Sequence, residues 1–174
     1  MTPPINLVLL NTKKNVDLSE VHRRWIARVV PLCIAYDLHL TLSNFKIRDS
    51  PIEFAKKIAP STSIGEGGQR FIELARNGKV QITDLPLPQN IGTSIVCTSK
   101  PEKNKERDSV YVAKLSDKER IALIFGSDEH QNQMTKKIKS ESKHHLDITS
   151  KGVKLTLETE IGAVTSILSK IRKV

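Results

Sequence analysis

Two stretches, Ile121-Ala-Leu-Ile-Phe-Gly-Ser127 and Asp147-Ile-Thr-Ser-Lys-Gly-Val-Lys-Leu-Thr-Leu-Glu-Thr-Glu-Ile-Gly-Ala163, decide the fold. The first is an apolar run of strand length closed by a glycine turn, the pattern of a strand buried on both faces. The second reads as a short strand, a Ser-Lys-Gly turn and a capped amphipathic helix. That helix starts near Thr156, with Ile161, Val164, Ile167, Leu168 and Ile171 on one face. Between the two stretches, Thr135 to His144 reads as a basic helix. Strand ends that converge on glycine turns are where α/β proteins bind small ligands. This tail is therefore the expected place of a site.

Working outward, Asn6 to Leu10 reads as a buried strand. Asp17-Leu-Ser-Glu20 fits a capping box with Asp17 as N-cap. Leu18, Val21, Trp25, Val29 and Leu32 follow at helical spacing, and Pro31 is expected to end or kink that helix. His39 to Ser43 alternates as a strand. Ser50-Pro-Ile-Glu53 caps a helix that stops before Pro60, and residues 61–68 form a loop. Gln69 to Arg76 is a helix closed by Asn77-Gly78. Lys79 to Thr83 and Thr93 to Thr98 are strands separated by a proline-rich loop. Residues 100–109 are highly charged and expected to be a mobile surface loop. Asp108 to Asp117 fits helix or strand, with helix favoured, and Arg120 to Phe125 is a strand.

Strands alternating with helices predict one α/β domain over residues 1–174, with a mainly parallel sheet flanked by helices. Loops leaving the carboxyl ends of its strands then line the site. They are Thr98-Ser-Lys-Pro101, Gly126-Ser-Asp-Glu129 and Thr149-Ser-Lys-Gly152. Three loops on one rim suffice for a single pocket.

The 174 residues carry a net charge of +9, which attracts phosphate polyanions. Residues 136–154 concentrate it: Lys136, Lys137, Lys139, Lys143, Lys151 and Lys154 stand against Glu141 and Asp147, beside His144 and His145. His22, Arg23, Arg24 and Arg28 form a second basic group. No apolar run reaches the roughly 18 residues of a membrane span, and the start lacks a signal-peptide pattern, so a cytoplasmic protein is expected. Cys33 and Cys97 lie in apolar stretches and read as small buried hydrophobes.

Several chemistries find no foothold. Gly65-Glu-Gly-Gly68 matches no phosphate-binding motif and reads as a turn opening a helix. The histidines show no metal-ligand spacing, so no metal is expected, and His144 and His145 read as solvated or RNA-facing. No nucleophile elbow is present. Glu20, Arg24 and Arg28 recur at four-residue spacing. They fit either a solvated face with a Glu20–Arg24 pair or an arginine that grips phosphate or acts in catalysis at a pocket edge. Aromatics make up 4% of the chain, too few for a single-strand stacking platform. Contact with nucleic acid would rest on phosphates and shape.

Together, the strand and glycine turn at 121–127, the basic helix, Asp147-Ile-Thr and Lys154-Leu-Thr-Leu-Glu-Thr-Glu-Ile-Gly-Ala163 resemble the SPOUT superfamily of knotted RNA methyltransferases. Val16 to Leu42, with Arg28 and Ala35-Tyr36-Asp37, resembles its N-terminal helix. The whole chain looks most like an archaeal branch of that superfamily. The resemblance implies a five- or six-strand sheet whose C-terminal segment makes a trefoil knot, and a homodimer. It also implies S-adenosylmethionine held largely by backbone groups of the three loops, and structured RNA, tRNA or rRNA, as substrate. Carried onto this chain, it places the cofactor against Thr98, Ser99, Gly126, Ser127, Thr149, Gly152, Leu155, Gly162 and Ala163. Arg24 and Arg28 are the catalytic candidates. Two positions depart from the pattern: Pro31 stands where the arginine is usual, and Gln131 where a glycine is usual. Two other readings remain open. One is a non-catalytic RNA-binding relative with weakened cofactor binding; the other is an α/β small-molecule enzyme whose basic charge is incidental.

Overall fold

The computed structural model describes residues 2–13, 18–61 and 67–172. Six strands form one parallel sheet in the order β3-β2-β1-β5-β4-β6. They are β1 (Asn6–Leu10), β2 (His39–Ser43), β3 (Val80–Thr83), β4 (Thr93–Cys97), β5 (Ile121–Phe125) and β6 (His144–Leu146). The helices are α1 (Glu20–Ala35), α2 (Pro51–Ile58), α3 (Gly67–Arg76), α4 (Ser109–Lys118), α5 (Gln133–Glu141) and α6 (Leu157–Ile171). None is long and apolar enough to cross a membrane.

Alternation along the central strands divides the core into two layers of unequal size. Leu7, Leu9, Ile95, Cys97, Ile121, Leu123 and Phe125 face one side. There Ile26, Val30, Phe54, Phe71, Val112, Val164 and Leu168, from α1, α2, α3, α4 and α6, cover them. Val8, Leu10, Val96, Ala122 and Ile124 face the other side, covered by Ile138 of α5 and Ile91, with Leu85, Leu87 and Met134 packed around them. Burial on both faces explains why these strands read as continuous apolar runs.

Several sequence expectations need correction. The N-cap of α1 is Ser19, whose partner in the capping box is His22; Asp17 lies outside the described residues. The helix runs through Pro31 to Ala35. Val29, Val30 and Cys33 are buried on either side of the proline, and that packing outweighs the roughly 3 kcal/mol that an interior proline costs. Glu20 pairs with Arg23, not Arg24. On α6, Ile167 is 38% exposed and does not join the buried face.

The largest correction concerns the basic stretch. Helix α5 ends at Glu141, and His144-His145-Leu146 is the edge strand β6, one step before the strand expected at Asp147. Both histidines are buried. His145 accepts from the Glu102 N–H at Nδ1 (3.0 Å) and donates from Nε2 to the Lys139 carbonyl (2.9 Å), which fixes a neutral tautomer. The charged segment 100–107 is accordingly fastened rather than loose. Arg107 N–H donates to the His145 carbonyl, and His145 N–H to that of Lys105, both at 2.9 Å. Lys105 Nζ reaches the Lys139 carbonyl at the end of α5 (3.1 Å).

Burial lowers the pKa of His145 below the ordinary 6.5, against the smaller upward pull of the Lys139 carbonyl and Glu102. The unfolded chain thus takes up its proton first, so this contribution to stability is full above about pH 6.5 and fades as pH falls through the folded pKa. His145→Gln is expected to lower Tm near pH 7.5, with the gap from wild type narrowing toward pH 5, on the order of 1 kcal/mol per bond lost. A gap independent of pH in thermal melts would contradict the neutral latch.

Candidate functional site

The sheet order places the ends of β5, β4 and β6 side by side, so the three glycine-bearing loops meet on one rim. Asp128 joins the first two. Its carboxylate accepts from Thr98 Oγ1 (2.7 Å), Ser99 N–H (2.8 Å) and Ser99 Oγ (3.1 Å), and pairs with Lys139 Nζ at 3.0 Å. Burial opposes its charge, but these partners outweigh burial and hold the carboxyl below its ordinary range. The Asp128 carbonyl accepts from Lys154 Nζ (3.2 Å), which draws in the segment that leads to α6.

Asp147 organises the third loop. It accepts from Thr149 N–H, Thr149 Oγ1 and Gly152 N–H (3.1, 2.8 and 2.7 Å). Ser150 and Gly152 take the left-handed conformation that this turn needs, with φ of 57° and 68°. A Cβ at Gly152 would lie 3.5 Å from the Ser99 carbonyl oxygen, which puts the third loop beside the first.

Glu160, in the first turn of α6, completes the carboxyl lining. Its carboxyl is pushed up to about 8, first by burial, then by repulsion from Asp128, Glu129 and Asp147; Lys154 pulls the other way. Ser127 is fully buried, and its Oγ has no hydrogen-bond partner among the described residues. Cys97, buried beneath Glu160 and Asp128, has its thiol raised by burial first and then by those carboxylates. It is inert as a nucleophile.

The rim therefore gathers Thr98, Ser99, Gly126, Ser127, Thr149 and Gly152. Leu155 is half-buried on the segment that leads to α6, and Gly162 and Ala163 lie further along that helix. A Cβ at Gly162 would meet no protein atom within 4 Å, so packing does not demand its smallness. Gly126 differs: at φ 109° a Cβ would overlap the Leu10 carbonyl oxygen. Gly126→Ala is thus a change to the fold, expected to cost about 3 kcal/mol in urea unfolding; a wild-type midpoint would contradict the close approach of β1 and the loop after β5.

Of the two arginines, Arg28 reaches the site's border, with Nη1 2.7 Å from Glu158 Oε2 in the first turn of α6. Arg24 is exposed one turn earlier on α1. The lysine cluster is divided. Lys139 and Lys154 turn toward Asp128, whereas Lys136, Lys137, Lys143 and Lys151 are exposed. Asp128, Asp147 and Glu160 were missing from the sequence reading, though an aspartate two residues past a strand-ending glycine was a usable signal. No group of three metal-ligating side chains occurs among the described residues.

A cavity of about 620 Å³ opens elsewhere, on the thinly covered face of the sheet, lined by Leu85, Leu87, Ile91, Ile124, Met134 and Ile138 among others. It shares no residue with the rim.

What the rim can hold follows from its charge. Carboxylates converging around backbone groups favour a small cation-bearing ligand and repel a bare phosphate.

The fold is shared with solved structures described as methylase or RNA methyltransferase proteins. A probable methylase family protein from Haemophilus influenzae superimposes with a TM-score of 0.63 at 16% identity, over 97% of this chain. The chain spans 64% of that protein's length. A candidate RNA methyltransferase from Bacillus anthracis gives 0.60 at 14% identity, covering 97% of this chain and 94% of that one. In sequence, the uncharacterized protein MJ0224 of Methanocaldococcus jannaschii is 31% identical over 164 residues, covering 94% of this chain and 92% of its own. The family described as "Protein of unknown function (DUF531)" matches residues 5–169, and the chain belongs to it.

Proposed function

We propose that this protein is an S-adenosylmethionine-dependent RNA methyltransferase that works as a homodimer, its C-terminal segment drawn through a trefoil knot. The observation that carries the reading is the acidic, backbone-built rim: Asp128, Glu129 and Asp147 around glycine-bearing loops, with the Glu160 carboxyl, raised to about 8, placed to ionise when a cation enters. S-adenosylmethionine carries a sulfonium and an ammonium, and this potential suits both. The buried, unpaired Ser127 Oγ and the unfilled space at Gly162 are further points of fit.

When bound, the cofactor supplies an electrophilic methyl group. Thr98, Ser99, Gly126, Ser127, Thr149, Gly152, Leu155, Gly162 and Ala163 hold it, chiefly through backbone groups and close approach. Asp128 and Asp147 keep those loops in place, so little ordering is left to occur on binding. Arg28, paired with Glu158 in the first turn of α6, would hold an acceptor phosphate. Arg24 and the exposed lysines extend the grip along RNA, with a salt dependence that follows the number of phosphates neutralised.

One observation favours the non-catalytic RNA-binding alternative. The hydroxyls of Thr98 and Ser99 and the Ser99 N–H are already engaged by Asp128. A cofactor there must use carbonyls or displace that carboxylate. The two readings separate when the protein is incubated with methyl-labelled S-adenosylmethionine and RNA from cells lacking it. Label in RNA is expected; RNA retention without label or cofactor binding would favour the alternative.

A further inference from the structure

Beyond the acidic rim, a second polar group lies at the boundary of β1 and β5, where the strand order reverses and α/β sheets open a crevice. Thr12, which follows β1, is 2% exposed. Its Oγ1 donates to the Gly126 carbonyl at 3.2 Å and lies 2.9 Å from His130 Nδ1. Asn132 Nδ2 donates to the Thr12 carbonyl at 2.8 Å, while Asn132 Oδ1 caps α5 by accepting from Thr135 N–H at 3.0 Å. The loop between Gly126 and Asn132 is thus fastened to Thr12 at both ends, with the exposed His130 held between.

The imidazole tautomer follows from where the Thr12 hydrogen goes. A hydroxyl has one hydrogen, and a carbonyl only accepts. If Thr12 gives its hydrogen to Gly126, His130 Nδ1 must donate to Thr12, which leaves a lone pair on Nε2. Lys13 beyond β1 and the buried, neutral His22 of α1 lie nearby, with Glu129 adjacent in the chain. The loop after β5 therefore faces two ways: Asp128 turns to Thr98 and Ser99 after β4, and His130 turns to Thr12 after β1.

We propose that His130 is the general base of the methyl transfer, with Thr12 as the residue that positions it and sets its tautomer. This rests on the methyltransferase reading above and names the base of that site. As the acceptor oxygen or nitrogen of the nucleotide forms its bond to the methyl carbon, the carbon–sulfur bond breaks and its electron pair stays on sulfur, giving the neutral thioether. The acceptor's proton passes to His130 Nε2. The imidazolium keeps its Nδ1–H bond to Thr12 and later releases the Nε2 proton to water.

The test has two arms on the full chain. Long-range proton–nitrogen NMR, with His130 assigned through His130→Gln, is expected to show neutral His130 protonated at Nδ1, and Thr12→Val is expected to shift it toward the Nε2–H form. An Nε2–H form in wild type would overturn the proposal. In the second arm, single-turnover transfer from labelled S-adenosylmethionine to RNA from cells lacking the protein is followed against pH. His130→Gln is expected to slow it roughly a hundredfold or more and to flatten its rise with pH, leaving cofactor affinity in calorimetry unchanged. Cofactor binding with an unaltered rate and pH profile would sink the base alone. No cofactor heat with wild type would sink the methyl-transfer reading and the base with it.

Discussion

Glu160→Gln is expected to stabilise the fold and to weaken cofactor binding. In the folded chain the Glu160 carboxyl sits at about 8, against an ordinary 4.5, because burial and then Asp128, Glu129 and Asp147 oppose its charge. Between those values the unfolded chain holds fewer protons than the folded one, so the cost to stability grows as pH rises from about 4.5 and levels off above about 8. Screening at a part-exposed site reduces the ideal figure, and the gain from glutamine is about 2 kcal/mol at pH 8. Urea unfolding of both proteins across that range checks it. The gap should open with pH and close near pH 4.5; a variant less stable than wild type at pH 8 would refute it. A carboxylate that costs stability marks a site shaped for something other than folding, and a bound cation would offset the cost.

Asp128→Ala carries the opposite sign. It removes three hydrogen bonds that tie the loop after β4 to the loop after β5. It also strands Lys139, whose side chain is 16% exposed. Deleting one partner of a largely buried pair costs about 3–5 kcal/mol, because the other charge is left uncompensated. A loss of about 3 kcal/mol in equilibrium unfolding is expected, with Asp128→Asn recovering part of it through the Thr98 hydroxyl. A loss below about 1 kcal/mol would show that the rim does not depend on this carboxylate. Cofactor affinity separates the two readings of the site. A preorganised rim loses affinity in Asp128→Ala, whereas a rim whose donors Asp128 merely occupies gains it.

The parts of the fold legible in sequence are those fixed by local chemistry. Strands β1 and β2, the Ser50-Pro51 cap and the glycine close of α3 were read at or near their limits because apolar runs, caps and turns act over a few residues. Strand β6 was missed because three residues carry too little alternation. His144 and His145 also look like the polar end of a basic helix until Tyr111, Glu102 and Lys139 come to them from elsewhere. Segment 100–107 misled for the same reason: its charges promised solvent, yet its backbone pairs with β6. Topology placed the three rim loops together, and the sheet order bears that out. Of the residues that organise them, Asp147 bonds within its own turn, to Thr149 and Gly152, whereas Asp128 acts through Thr98, Ser99 and Lys139 on other segments, and its position after Gly126 marks it without naming those partners. Glu160 resembles any polar position of an amphipathic helix until three carboxylates surround it.

The central claim is that the rim binds a cationic methyl donor. Titration calorimetry of the wild-type chain with S-adenosylmethionine tests it most directly, with thermal melts at the same concentrations. The account predicts saturable heat, one site per chain, and a stabilisation of about 2.7 kcal/mol at a hundred times Kd. Neither heat nor a shift in Tm at millimolar cofactor would contradict it.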